Sequence, residues 1–294
     1  MAFGMERPTA AKVLRWEKHL SRAPHYDCKS HSFRQVLCLI YYKVTKSIIS
    51  RQSTLLRSPI WKTVPWEDNP ASKSTIDHLI DIGTDITEYI AQIKRYDNSK
   101  SGQEFEYSQL RTQVANSLEE LNACWQQWES HHTQPATEVT SHQLTGEPLF
   151  PTLLEYDMPW TAFTVCNYNA MRILLLQLWH MLQSIPGSTQ TTDRGVVLDM
   201  PNPTALLGIT SNIKGLACEI LRSLKYAYGK CRRFIFTSSF LFLQDTAYGC
   251  FDRNSKEAVR VARHGWAELA DSNNIEDENL LKRLLPLGQI RAGC

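Results

Sequence analysis

The chain has 294 residues, 43% hydrophobic and 21% charged, which excludes a disordered chain and is enough to bury a substantial core. Its 32 lysines and arginines nearly balance 30 aspartates and glutamates, and that balance argues against a dedicated nucleic-acid binder. The most apolar stretch, 170–182, is interrupted by Arg172, Gln177 and His180 and falls short of the roughly 20 apolar residues a membrane span needs.

Residues 1–22 mix charged and apolar positions without a continuous apolar run, so they do not read as a secretory signal. A surface helix over 9–21 that buries Val13, Trp16 and Leu20 fits better than an acid-poor presequence, because Glu6 and Glu17 are present. Next comes His25-Tyr26-Asp27-Cys28-Lys29-Ser30-His31, whose side chains suit zinc but lack a metal-binding spacing; they read as solvated loop residues.

The periodicity from there on is helical. Phe33, Val36, Leu37, Ile40, Val44 and Ile48 predict a helix over 32–57, with Pro59 as its stop. A second, over 74–94, carries Ile76, Leu79, Ile82, Ile86, Tyr89, Ile90 and Ile93, and Asp81, Asp85 and Glu88 share its opposite face. Paired acids can hold magnesium, but the adjacent aspartates and second metal motif of prenyl-diphosphate enzymes are missing, so the face reads as a solvated acidic stripe. A third helix, over 107–130, carries Leu110, Val114, Leu118, Leu121, Trp125 and Trp128 and ends at His131-His132, where positive charge suits a helix C-terminus.

Residues 131–155 are rich in Thr, Pro, Ser and His, lack periodicity and read as a flexible insertion. Beyond it, Asp157 and Pro159 open the central hydrophobic helix, which stops before Pro186 and Gly187. Residues 186–202 again lack periodicity. Leu206, Ile209, Ile213, Leu216, Ile220 and Leu224 line one face of the next helix, which Gly229 can end. Residues 234–251 could alternate as strands, yet their helical neighbours favour a helix. Two further helices are expected, one holding Val259, Ala262, Trp266 and Leu269 and a short one over 276–285. The expected fold is therefore all-α: one multi-helix domain over 1–294, with antiparallel helices around the central hydrophobic helix.

Reactive constellations are absent from the sequence. It has no nucleophile elbow, phosphate-binding glycine loop, dinucleotide fingerprint or zinc-protease helix, so no catalytic residue and no cofactor is assigned. The eight cysteines are scattered; Cys28 and Cys38 are the closest pair, which excludes a six-thiolate zinc cluster and suits free core cysteines. Lys230, Arg232 and Arg233, with Arg222 upstream, form the best candidate for phosphate contact, although cations near a helix C-terminus need no ligand to explain them. Trp61 and Trp66, in a proline-bounded connection, and Trp160 and Trp179, on the central helix, are the candidates for an effector pocket or an interface.

Three segments carry a family resemblance: Leu56-Arg57-Ser58-Pro59-Ile60-Trp61 through Val64-Pro65-Trp66; Asn169-Ala170-Met171-Arg172 through Leu176; and Cys218-Glu219-Ile220-Leu221-Arg222-Ser223 through Tyr226. In this order, and with Phe240-Leu241-Phe242, Ala247 and Cys250-Phe251 after them, they resemble the helical regulatory region that follows the zinc cluster in fungal transcription factors. The resemblance implies a nuclear, non-enzymatic regulator of transcription with a helical domain for effector sensing, activation or dimerisation. Many such proteins control local biosynthetic gene clusters. The zinc cluster is missing, so direct DNA binding is doubtful: either a zinc-cluster segment precedes these residues in a longer product, or the module works through a DNA-binding partner or as a homodimer. From the residues alone, the other reading is an all-helical, cytoplasmic small-molecule-binding protein or enzyme with a dispersed apolar pocket.

Overall fold

The computed structural model describes residues 31–97, 104–132, 135–141, 150–185, 212–230 and 237–251. Among them are seven helices: α1 (His31–Ser50), α2 (Pro59–Thr63), α3 (Thr75–Asp97), α4 (Glu104–Ser130), α5 (Pro159–Gln183), α6 (Ile213–Lys230) and α7 (Thr237–Tyr248). There are also two strands, β1 (Ala136–Thr140) and β2 (Thr152–Tyr156). The expected helices over 9–21, near Val259 and over 276–285, the unpatterned run 186–202, Leu206 and Ile209, and the His25–His31 cluster apart from His31 lie outside the described residues.

Helix α1 stops seven residues before the expected end at residue 57. Arg51 adopts the left-handed region (φ 52°), Gln52 N–H reaches back to the Ser47 carbonyl at 3.0 Å, and Arg51 N–H to that of Ile48 at 3.2 Å. These are the two bonds of a Schellman cap, made here by an arginine where a glycine would ordinarily announce it. The chain then crosses to α3 as a series of short turns: a 3-10 turn at Leu55–Arg57, the five-residue α2, and further 3-10 turns at Val64–Trp66 and Pro70–Ser72.

Ser74 and Asp77 start α3 as a reciprocal capping box: Asp77 accepts from Ser74 N–H at 2.9 Å, and Asp77 N–H points back to Ser74 Oγ at 3.4 Å. Its buried residues Ile76, Leu79, Ile82, Ile86, Tyr89 and Ile93 follow the helical period read from the sequence. On α4 the buried stripe is Tyr107, Leu110, Val114, Leu118, Leu121, Trp125 and Trp128. Both helices pack against α5 and against each other.

Helix α5 is the least exposed element. Every residue from Thr161 to Leu175 is buried, and α5 touches α3, α4, α6, α7 and β2. An amphipathic helix shows one apolar stripe, whereas a helix buried all round must be covered on all sides, and that requirement arranges its neighbours.

The sequence reading placed no regular structure between 131 and 155, but β1 and β2 lie there. They pair antiparallel, Ala136 opposite Tyr156 and Thr140 opposite Thr152, and Leu153, Leu154 and Tyr156 are buried. Five-residue strands are too short for a periodicity to show, and what stabilises them comes from α6, far along the chain. The fold is thus mostly helical with a small two-stranded sheet.

Close helix packing sets one clear expectation. A Cβ added at Gly83 of α3 would meet Val44 Cγ1 of α1 at 3.2 Å and Met171 Sδ of α5 at 3.5 Å. Gly83→Ala should be near neutral, because a gain in helix propensity of about 1 kcal/mol offsets the tight contact. Gly83→Leu should cost about 2 kcal/mol by overpacking, read as a lower urea midpoint with an unchanged slope.

Candidate functional site

Polar groups in the interior concentrate where α5, α6 and β2 meet. Asn169 Nδ2 donates to Glu219 Oε2 at 3.0 Å, joining the middle of α5 to the middle of α6. One turn on, Ser223 Oγ donates to the Glu219 carbonyl at 2.7 Å and lies 2.6 Å from the Tyr156 hydroxyl of β2. Arg172, only 1% exposed, donates from NH1 to the Tyr168 hydroxyl at 2.9 Å. Tyr168 stacks on Trp125 (ring centroids 4.1 Å apart), Trp125 on Trp128 (4.6 Å) and Trp128 on His132 (4.3 Å).

The electrostatics follow from burial. Loss of water pushes the Glu219 carboxyl up to about 7, against the opposing pull of the Asn169 bond and of Arg222 and Arg172. Burial likewise drives the Tyr156 hydroxyl well above its usual range. Asn167 Oδ1, Asn169 Oδ1 and Arg172 Nε of α5 and Thr246 Oγ1 of α7 are buried without a partner, as are Tyr41 OH, Glu106 Oε2, Gln113 Oε1 and Trp125 Nε1 elsewhere among the described residues. Glu219 has the proton affinity of a general base, yet it is 5% exposed and does not line the cleft described below. Its position suits a structural tie between helices better than chemistry on a substrate.

The residues singled out from the sequence fall in separate places. Arg222 anchors the sheet: its Nε donates to the Thr152 carbonyl at 3.1 Å, and NH2 reaches Thr152 Oγ1 and Glu138 Oε1, each at 2.7 Å. Phosphate contact by Arg222 would have to displace those bonds. Arg232 and Arg233 lie outside the described residues, and Lys230 is the last residue of α6. Trp160 and Trp179 are both half-buried on α5 but about 28 Å apart along its axis, so they do not share one pocket. Trp160 packs against Phe163 at 5.3 Å.

Trp61 and Trp66, both half-buried, belong to the connection that lies along the acidic face of α3. That face is not the solvated stripe expected from the sequence. Lys62 pairs with Asp85 at 2.7 Å, Lys73 with Asp81, and both Arg57 (3.5 Å) and Arg95 (2.7 Å) with Glu88, whose side chain is 7% exposed. Burial alone would raise the Glu88 carboxyl, but hydrogen bonds from Ser53, Arg95 and Gln92 outweigh it and hold the group below its ordinary range. The acids stand at helical spacing in the sequence; of the cations that cover them, Arg95 is on α3 itself, whereas Arg57, Lys62 and Lys73 come from the short turns before it.

An open cleft of about 670 Å³ lies between the last turns of α5, the start of α6 and the end of α7. None of the four tryptophans lines it, and no sequence motif pointed there. Among the described residues, no group of three His, Cys, Asp or Glu side chains is placed to hold a metal ion, and no helix is long and apolar enough to cross a membrane.

Glu219 generates a pH dependence with a definite sign. The unfolded carboxyl titrates near 4.5 and the folded one near 7, so between these values the unfolded chain gives up its proton first. Stability contributed here therefore falls as pH rises from 4.5 to 7 and then levels off. Glu219→Gln keeps an acceptor for Asn169 and removes the charge. It should match the wild type near pH 4 and exceed it at pH 8 by up to about 3 kcal/mol in urea unfolding.

Compared with protein-family models, curated proteins and solved structures, the chain matches none of them.

Proposed function

We propose that this protein regulates transcription through one multi-helix domain spanning 1–294, built of antiparallel helices around α5. In this reading it acts in the nucleus, is not an enzyme and needs no cofactor. Contact with DNA is supplied by a zinc-cluster segment of a longer product or by a DNA-binding partner, or the module works as a homodimer. Its output is control of a gene set such as a fungal secondary-metabolite cluster, under a small-molecule effector.

The observation that carries the reading is the placement of the three segments on which the resemblance rests. Two of them meet in the interior through the Asn169–Glu219 bond, and the third lies along α3, bound to it by Lys62 and Arg57. Their residues are occupied in packing and internal pairing, as expected of a module whose motifs encode a shape. The second reading, a small-molecule-binding protein or enzyme in the cytoplasm, is favoured by the cleft beside α5, α6 and α7. An effector-responsive regulator accommodates that cleft as well.

The test is to fuse the full chain to a heterologous DNA-binding domain and measure a reporter, with a fluorescent fusion to locate the protein. The expected result is a several-fold change in reporter output, in either direction, from a protein found in the nucleus. An unchanged reporter with the protein excluded from the nucleus would overturn the proposal.

A further inference from the structure

The cleft at the ends of α5, α6 and α7 has a chemistry of its own. Its apolar surface comes from Leu176 of α5 and Ile213 of α6. Around that surface stand the Lys214 ammonium, the His180 imidazole, the Gln177 carboxamide and the Cys250 thiol. Among the described residues that line it there is no aspartate or glutamate. Lys214 is held over the Phe251 ring at 5.6 Å, which places a cation at the edge of the cleft. Gln177 Nε2 makes only a long contact of 3.8 Å to Cys250 Sγ. The described lining therefore sets two apolar side chains beside several polar ones, Asn212 included, with no acid among them.

From this we infer that the cleft binds a small organic anion, a carboxylate on a hydrocarbon body. The apolar body lies against Leu176 and Ile213, and the carboxylate meets Lys214, His180 and Gln177. A cleft of about 670 Å³ falls within the size range of sites for such molecules. At the start of α6 Asn212 Oδ1 already accepts from Gly215 N–H at 2.6 Å, so the helix end adds only its dipole on that side. Ligand occupancy would bridge α5, α6 and α7, the first two of which carry the Asn169–Glu219 tie. The inference deepens the effector reading and rests on it for its regulatory meaning; the binding event stands apart from it.

The test uses the purified full chain and two probes, 2-naphthoate and decanoate, titrated by calorimetry. Lys214→Glu reverses the charge at the rim and leaves α6 intact, since an acid in the first turn of a helix is favourable. Lys214→Arg keeps the charge. The expected result is saturable one-site binding of at least one probe, weakened about tenfold or more by Lys214→Glu and preserved by Lys214→Arg. Occupancy should also slow alkylation of Cys250 by iodoacetamide, followed on its own peptide by mass spectrometry. Absence of saturable binding by both probes, or equal affinity in a folded Lys214→Glu variant, would overturn the inference. Binding in a protein that leaves the tethered reporter unchanged would keep the site and remove the transcriptional role; a responsive reporter without binding would do the reverse.

Discussion

A helix buried on every side must satisfy its own polar side chains inside the protein, and the rest of this structure is arranged around that constraint. Backbone groups of α5 are met within the helix, but Asn167, Asn169 and Arg172 carry polar atoms into a region of almost no exposure. The bond from Asn169 to Glu219 brings α6 against α5, and Ser223 and Tyr156 extend the same polar line to β2. Arg222, three residues from Glu219 on α6, then fixes the far end of the sheet through Thr152 and Glu138. An apolar replacement could fill the same space, so what the polar junction contributes is register between α5 and α6. Glu219 carries the consequence of its own burial in a proton affinity near neutrality.

A second electrostatic arrangement binds the connection between α1 and α3, on a different scale. The Lys62–Asp85 and Lys73–Asp81 pairs retain contact with solvent, and pairs of that kind are worth about 0–1 kcal/mol each. Glu88 differs, being nearly buried and shared by two arginines that remain partly in water. No residue of Leu55–Arg57, of α2 or of Pro70–Ser72 is buried, so little apolar area secures this segment. It is held mainly by charge, and local opening should require less free energy than opening α5.

Long, strongly periodic elements were legible in the sequence. The stripes of α3 and α4 and the apolar run of α5 lie where their spacing puts them, because a 3.6-residue period over six or more turns admits few other readings. The end of α1 was not legible, since a left-handed arginine leaves no glycine or proline to mark it. The strands were hidden for a related reason: besides their own pairing they are tied to Arg222, some 70 residues away. Each miss at the site also depended on a distant partner. Asp81, Asp85 and Glu88 read as solvated because nothing in their own helix shows that Lys73, Lys62 and Arg57 cover them. Glu219 stood out only as part of a motif, and the cleft draws its lining from three helices that no local pattern connects.

The central claim is that Asn169 and Glu219 act as one unit that holds α5 against α6. A double-mutant cycle with Asn169→Ala, Glu219→Ala and the pair, followed by urea unfolding at pH 8, tests it most directly. The account predicts a coupling energy of about 1.5 kcal/mol, the double variant being more stable by that amount than the sum of the two single changes implies. Losses that add to within about 0.3 kcal/mol would contradict it.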